Sequence, residues 1–517
     1  MAGVSDPVQK LKADASTLLH EAESSPQFQH DQEVAKERRM AQMLMEQLSV
    51  PASVREVRVH GATNIRRGFL DPLLNPLVAG KPESPATMGD VLASLQNITQ
   101  KLNGLQIFRE EPRIFLNQPD QAGDASSTPN DIDIDLRVFE LPRFKLQTGT
   151  DVGNGEGSAY GSVLWRNVFG GAENFSLNAK AGTRTRSAYS ADLSAPVLSN
   201  PDMRITLEGM SSAAEKSWAS HEEVIKGGAL RFSWYNAQRD QQSIEYTGAW
   251  RQITGLGNGA SPTVRADAGD TIKSSLKHTF VRERRDNPQL PQSGYTMRSS
   301  WEIAGSGPLG GDVAFSKSET EFGGALPIPL PGIKGRSGVS IGGGLKFGML
   351  YPLAPGWNPA GKVQPSRLND RFQLGGPTDV RGFSLGGLGP RDGQDAVGGD
   401  AFAAGSVNML LPLPYKGPDS SLRFQIFANG GRLVALDGKG HPKDSASQAM
   451  TPQAARDGML NAVGELFNGA PSIAAGVGLV YAHPVARFEL NFSLPLALRK
   501  GEVGTKGLQV GVGINFL

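Results

Sequence analysis

From Phe144 to Leu517 the chain repeats one pattern: segments of about ten residues in which apolar and polar side chains alternate. Tyr295, Met297, Trp301 and Ile303 alternate with Arg298, Ser300 and Glu302. Leu422, Phe424 and Ile426 alternate with Arg423 and Gln425, and Phe488, Leu490, Phe492 and Leu494 with Arg487, Glu489, Asn491 and Ser493. Period two is the period of a β-strand, whose successive side chains point to opposite faces. Roughly sixteen such segments occur, an even number of the length that membrane-crossing strands require. A soluble sandwich also alternates, with its polar face in bulk water. The number and length of the segments, and their links, favour a closed barrel. With Phe144 to Val152 as strand one, links after even strands are mostly short, such as Asn236 to Gln241 and His483-Pro484. Links after odd strands include the longest, 351–398 and 432–471, as expected of turns at one rim and loops at the other.

The composition fits this reading. A hydrophobic share of 38% would be low for a helical membrane protein, but a barrel points alternate residues into a polar lumen. No run of about 18 apolar residues occurs, so no transmembrane helix is expected. A net charge of +1 gives no reason to expect nucleic acid as a partner. The absence of cysteine excludes disulfides and thiolate sites. Met1 to Pro26 lacks the basic and apolar regions of a secretory signal, and Asp6, Asp14, Glu21 and Glu23 are at odds with a matrix-targeting peptide. A barrel with such an N-terminus is expected in an organelle outer membrane.

Ahead of the barrel, residues 1–50 form a polar extension with a helix expected near Asp31 to Leu48 and no core of its own. Residues 51–141 read as a small α/β domain of order β-α-α-β-β. Val54 to Val59 alternates as a strand ending at Gly61. Ile65 to Val78 is expected to be helical, bent or ended near Pro72 or Pro76. Met88, Val91, Leu92, Leu95, Ile98 and Leu102 share one helical face, with Gly104 as the stop. Leu105 to Leu116 and Ile132 to Phe139 are expected strands. The fold class is therefore mostly β: an antiparallel transmembrane barrel of about 16 strands over residues 142–517, preceded by one small α/β domain.

The longest link, 351–398, falls between the eleventh and twelfth strands and contains Val380-Arg381-Gly382-Phe383. Here the sequence resembles the outer-membrane barrel-assembly superfamily, whose sixth loop carries a Val/Ile-Arg-Gly-Phe motif. The resemblance implies that the loop folds back into the lumen and that Arg381 latches it to the inner wall. An arginine suits a latch, because its planar fork of five donors holds several acceptors at once. Gly382 permits close approach or positive φ, and Phe383 can wedge into the wall. The family's wall motif on the thirteenth strand is Phe-x-Asp-x-Gly. This chain matches it at Phe427 and Gly431 but has Asn429 for the aspartate. Asn429 can accept a hydrogen bond but cannot form an ion pair, which leaves the charge partner of Arg381 open.

Room for one N-terminal domain, where other branches carry several, makes the chain similar to the mitochondrial branch, the core barrel of the sorting and assembly machinery. Arg166 to Glu173 and Asp286 to Gly294 also resemble that family's turns. The resemblance runs from about residue 50 to the end and implies one polypeptide-transport-associated domain, facing the intermembrane space. It implies partners of three kinds: β-barrel precursors bearing a C-terminal β-signal, accessory subunits on the cytosolic face, and membrane lipids. Gln509, Gly511, Ile514 and Phe516 of the last strand themselves fit the β-signal pattern.

The expected activity is insertion of barrel precursors at a lateral gate. One side of the gate is strand one, Phe144, Lys145, Leu146, Gln147, Thr148, Gly149, Thr150, Asp151 and Val152. The other is the last strand, Leu508, Gln509, Val510, Gly511, Val512, Gly513, Ile514, Asn515 and Phe516. A barrel can open only where its first and last strands meet, since every other edge is paired, and an incoming strand can add there by β-augmentation. The alternative is a protein-translocating or passive solute channel. No enzyme is expected: His221-Glu222-Glu223 lacks a zincin's second histidine, no nucleophile elbow occurs, and Gly386-Gly387-Leu388-Gly389 lacks dinucleotide-loop spacing. No cofactor or metal is expected either.

Overall fold

The computed structural model describes residues 39, 42, 48–78, 87–118, 130–153, 156–329, 337–358, 360–414, 417–418, 420–436, 450–483 and 486–513. The chain divides into two compact units between Leu141 and Pro142. The helix expected near Asp31 to Leu48 lies almost wholly outside the described residues.

In the first unit, β1 (Ser53–His60), α1 (Arg67–Val78), α2 (Met88–Gly104), β2 (Arg113–Asn117) and β3 (Asp131–Arg137) follow in the order read from the sequence. The strands pair β1-β3-β2, parallel then antiparallel. Thr87 and Asp90 form a reciprocal capping box that starts α2. Val91, Leu95, Ile98 and Leu102 bury its apolar face. Helix α1 covers nearly the span read from the sequence, Arg67–Val78, and holds both Pro72 and Pro76. Both prolines are exposed while Phe69, Leu70, Leu73 and Leu77 are buried, so water can satisfy the carbonyls that lose their N–H partners. The strand expected over Leu105 to Leu116 shrinks to Arg113–Asn117: Leu105 still caps α2, and Gln106 turns the chain with φ of +59°.

The second unit is one sixteen-stranded sheet in which each strand pairs antiparallel with its sequence neighbours, from Phe144–Gly153 to Gly507–Gly513. Its exposure is the reverse of a soluble protein's. On strand fifteen (Arg487–Ala497), Phe488, Leu490, Phe492 and Leu494 lie exposed while Arg487, Glu489, Asn491 and Ser493 are buried. The apolar row faces lipid and the polar row faces the lumen. The longest links follow strands eleven and thirteen, over 353–400 and 435–471. The links after strands three and five, 183–184 and 217–220, are short, so the long links on that side begin only after strand seven, over 255–268. The link after strand thirteen holds a helix that sequence reading missed, Pro452–Asn468, N-capped by Thr451.

The turn after strand six shows how a short link is fixed. Asp240 is fully buried and accepts from Arg282 Nε and Nη2 at 3.0 and 2.7 Å and from Arg284 Nη2 at 2.8 Å. The Arg282 fork holds this carboxyl down to about 2.

Candidate functional site

Loop six (353–400) joins strand eleven (Ser340–Pro352) to strand twelve (Ala401–Pro412), and its Leu368 to Leu388 part packs against the inner wall of the barrel. Its Phe372, Leu374, Val380, Phe383 and Leu388 share one buried cluster with inward-facing wall residues, among them Phe315, Leu350, Phe402, Leu433 and Ala474. A loop with this apolar content stays in the lumen because the wall offers it a dry surface; burying each large side chain is worth about 1.5–3 kcal/mol.

Arg381 is fully buried. Its Nε and Nη2 donate to Glu489 Oε2 and Oε1 at 2.8 and 3.1 Å. Its guanidinium lies 5.2 Å from the ring centroid of Phe427 on strand thirteen (Leu422–Val434), a cation–π contact. Asn429, also on strand thirteen, holds the backbone rather than the charge. With its amide oxygen turned to Arg381 N it accepts at 2.8 Å, while its nitrogen donates to Arg381 O at 3.0 Å. The charge partner left open by the sequence is thus Glu489, two strands beyond the expected wall motif. Glu489 is in turn fixed by Arg487 Nη2 at 2.6 Å and Asn491 Nδ2 at 2.7 Å. Such a dry, forked pair is rigid, and breaking it strands a buried charge.

The other motif residues are equally committed. Gly382 has φ of +86°, and a Cβ there would stand 2.5 Å from the Ala474 Cβ. A Cβ at Gly431 would meet Leu374 Cδ2 at 2.9 Å, so this glycine lets loop six lie against the wall. Val380 and Phe383 are fully buried. Loop six also grips the end of the barrel. Gly382 N donates to Gln509 Oε1 at 2.8 Å, and Gln509 Nε2 donates to Phe383 O at 3.2 Å. Thr505 N donates to Gly382 O at 2.8 Å, and Phe383 bridges Gly504.

The two expected gate strands differ. On strand one, Phe144, Lys145, Leu146, Gln147, Thr148 and Thr150 are all exposed, so neither face of the strand is covered. Phe144 stacks on Trp165 of strand two at 5.2 Å. Asp151 and Val152 belong to strand one, with side chains outside the described residues, and Gly149 lies against Tyr160. On the last strand, Leu508 and Val510 are exposed, Gln509 is tied to loop six, and Gly511 stands opposite Glu489. Val512 and Gly513 complete the described strand; Ile514, Asn515 and Phe516 lie outside the described residues. Strands one and sixteen lie at the two ends of the sheet order and come close to each other, but no ladder joins them among the described residues.

A sixteen-stranded antiparallel barrel with an arginine-latched loop in its lumen and, among the described residues, one small α/β domain before it defines an outer-membrane barrel of the assembly type. The model of the Omp85 superfamily domain matches residues 167–516. A SAM50-like protein of Schizosaccharomyces pombe is 37% identical over 480 residues, covering 92% of this chain and 94% of that protein. The sorting and assembly machinery component 50 homolog of Mus musculus is 30% identical over 432 residues, 83% of this chain and 84% of its own length. The crystal structure of BamA from Haemophilus ducreyi lacking POTRA domains 1-3 shares the fold at a TM-score of 0.67, with 13% identity, over 89% of this chain and 84% of that one. The chain therefore belongs to the Omp85 superfamily and, within it, to the SAM50 family.

Proposed function

We propose that this protein inserts β-barrel precursors into the mitochondrial outer membrane by pairing their β-signal strands at a lateral gate. Membership of the SAM50 family supports the general role, a barrel-assembly component of that membrane. The observation that carries the gate is the seam. Fifteen neighbouring strand pairs share continuous ladders, whereas strands one and sixteen meet without one among the described residues. An edge whose N–H and C=O groups lack a ladder is the place where a foreign strand can add. Backbone pairing also explains how one machine accepts many sequences. The work is done by templating and not by covalent catalysis.

Loop six crosses the lumen, held to strand seven by Asp370 and to strands thirteen, fifteen and sixteen at its motif. That supports sideways release over passage of a chain through the lumen. In this reading the N-terminal domain faces the intermembrane space and hands on precursors, and the long loops meet accessory subunits in the cytosol. A β-signal peptide bearing a photoreactive group tests it. Crosslinks should concentrate on Phe144 to Val152; crosslinks confined to lumen-facing side chains would favour a translocating channel.

A further inference from the structure

Loop six has a second buried ion pair, far from its motif. Arg251 on strand seven (Gln241–Thr254) donates from Nη1 and Nη2 to Asp370 Oδ1 and Oδ2 at 2.6 and 3.1 Å. Both side chains are nearly inaccessible, at 5% and 2%. We propose that Arg251 and Asp370 form a second latch, which holds loop six to the wall opposite the Arg381–Glu489 latch and so keeps Gly382 and Phe383 seated on the last strand.

Three observations converge on this. The first is position. Strand seven and strand fifteen are eight strands apart in a sheet of sixteen, so the two latches stand halfway round the barrel from each other. Asp370 and Arg381 are only eleven residues apart in the chain. Loop six thus crosses the lumen as a short strut between two walls, with an upper reach of about 36 Å.

The second is the backing at the far end. Lys317 Nζ donates to Asp370 O at 2.7 Å, and Lys273, paired with Glu302 at 2.6 Å, stands 3.9 Å from Asp370 Oδ1. Leu368 N donates to Asp267 Oδ2 at 2.8 Å, next to the short helix Pro262–Ala266. Between the latches the strut is stitched and not slack. Phe372 and Gly399 exchange both backbone bonds, Phe372 packs on Phe402 at 4.7 Å, and Leu374 bridges Leu388.

The third is cost. Arg251 Nε is buried with no acceptor among the described residues. Packed apolar residues could replace a buried pair without loss of stability. An incompletely satisfied pair is poorly explained by stability alone and well explained by a need to fix loop six at one register.

The inference rests on the insertase reading for its purpose, but its test does not. The chain has no cysteine. Ser384→Cys and Val503→Cys therefore report the seat of loop six directly, since Ser384 N donates to Val503 O beside the Phe383–Gly504 bridge. Disulfide formation is timed on folded barrel only, identified by its heat-modifiable mobility and without any precursor present. Arg251→Ala is expected to slow closure about tenfold, and the swap Arg251→Asp with Asp370→Arg to recover most of the rate. Arg251→Met with Asp370→Leu leaves no stranded charge, so it keeps the test open should Arg251→Ala fail to fold. It is expected to slow closure as well. Closure at the parent rate in this double variant overturns the second latch, because loop six would then be seated without it. Precursor insertion is assayed in parallel, so a parent barrel that inserts nothing removes the insertase reading while leaving the position of loop six measured.

Discussion

The two nitrogens Nε and Nη2 of Arg381 meet both carboxylate oxygens of Glu489 across 108 residues of sequence, in a site with no water-accessible surface. The latch of loop six is therefore a dry, two-pronged ion pair. It is backed by Phe427 on one side and by Arg487 and Asn491 on the other.

Breaking it from either side should be costly in the same way. Arg381→Ala is expected to destabilise the barrel by about 3 kcal/mol, because Glu489 keeps Arg487 but loses its fork. In a double-mutant cycle with Glu489→Ala the coupling should be about 2 kcal/mol. Urea unfolding in detergent, followed by tryptophan fluorescence, measures both. Additive losses would mean that the two residues act separately. Porin assembly should fall in the same variants while membrane location persists.

Gly382 makes a sharper case, because two separate penalties fall on one methyl group. Gly382→Ala must tolerate φ of +86° and a contact of 2.5 Å with the Ala474 Cβ. A loss of at least about 2 kcal/mol is expected. Adding Ala474→Gly should relieve the contact but leave the backbone strain, restoring only part of the loss. Full rescue would show that φ at this position is unimportant.

The seam prediction follows from the ends of the sheet. If strands one and sixteen close antiparallel with Phe144 near Phe516 and Val152 near Leu508, then Thr148 faces Val512. Thr148→Cys with Val512→Cys should form a disulfide, block insertion of new barrels and release the block on reduction. A locked barrel that inserts precursors at the normal rate would leave passage through the lumen as the better account.

Asp240 predicts a pH response. Its carboxyl lies near 2, below the ordinary 3.8, because Arg282 and Arg284 bind the ionised form. A folded-state value below the unfolded one gives stability that is present above about pH 4 and lost as pH falls toward 2. Asp240→Asn should lower stability at neutral pH and flatten the acid limb between pH 4 and 2. An unchanged limb would assign acid sensitivity to other carboxylates.

The division at Leu141 and Pro142 predicts that removing residues 1–141 leaves a barrel that folds, since no barrel strand is lost. Heat-modifiable mobility of the truncated chain in membranes is the check, with slower precursor handover as the expected defect.

Much of this was legible in the sequence, for a physical reason. A strand between lipid and lumen must alternate, so Phe488 to Leu494 reveals its two faces without a structure. The loop-six motif was legible because its four residues are adjacent. Glu489 was not, because nothing local marks it. It sits at one of several polar positions on strand fifteen, and only the register of loop six against that strand selects it. Helix Pro452–Asn468 was missed inside a long link, although Thr451-Pro452 is a sound helix start and Ala455, Met459 and Ala462 recur at helical spacing.

Gln509 leads a different kind of argument. It is the polar residue with which the chain's own final strand fits the signal pattern proposed for precursors, and its amide is engaged at both ends by Gly382 N and Phe383 O. Under the proposed function, a newly made copy of this protein would present the same pattern as the precursors it handles until loop six takes its seat. Once seated, loop six holds the Gln509 amide from within, and in that reading a finished barrel no longer offers the pattern to its neighbours.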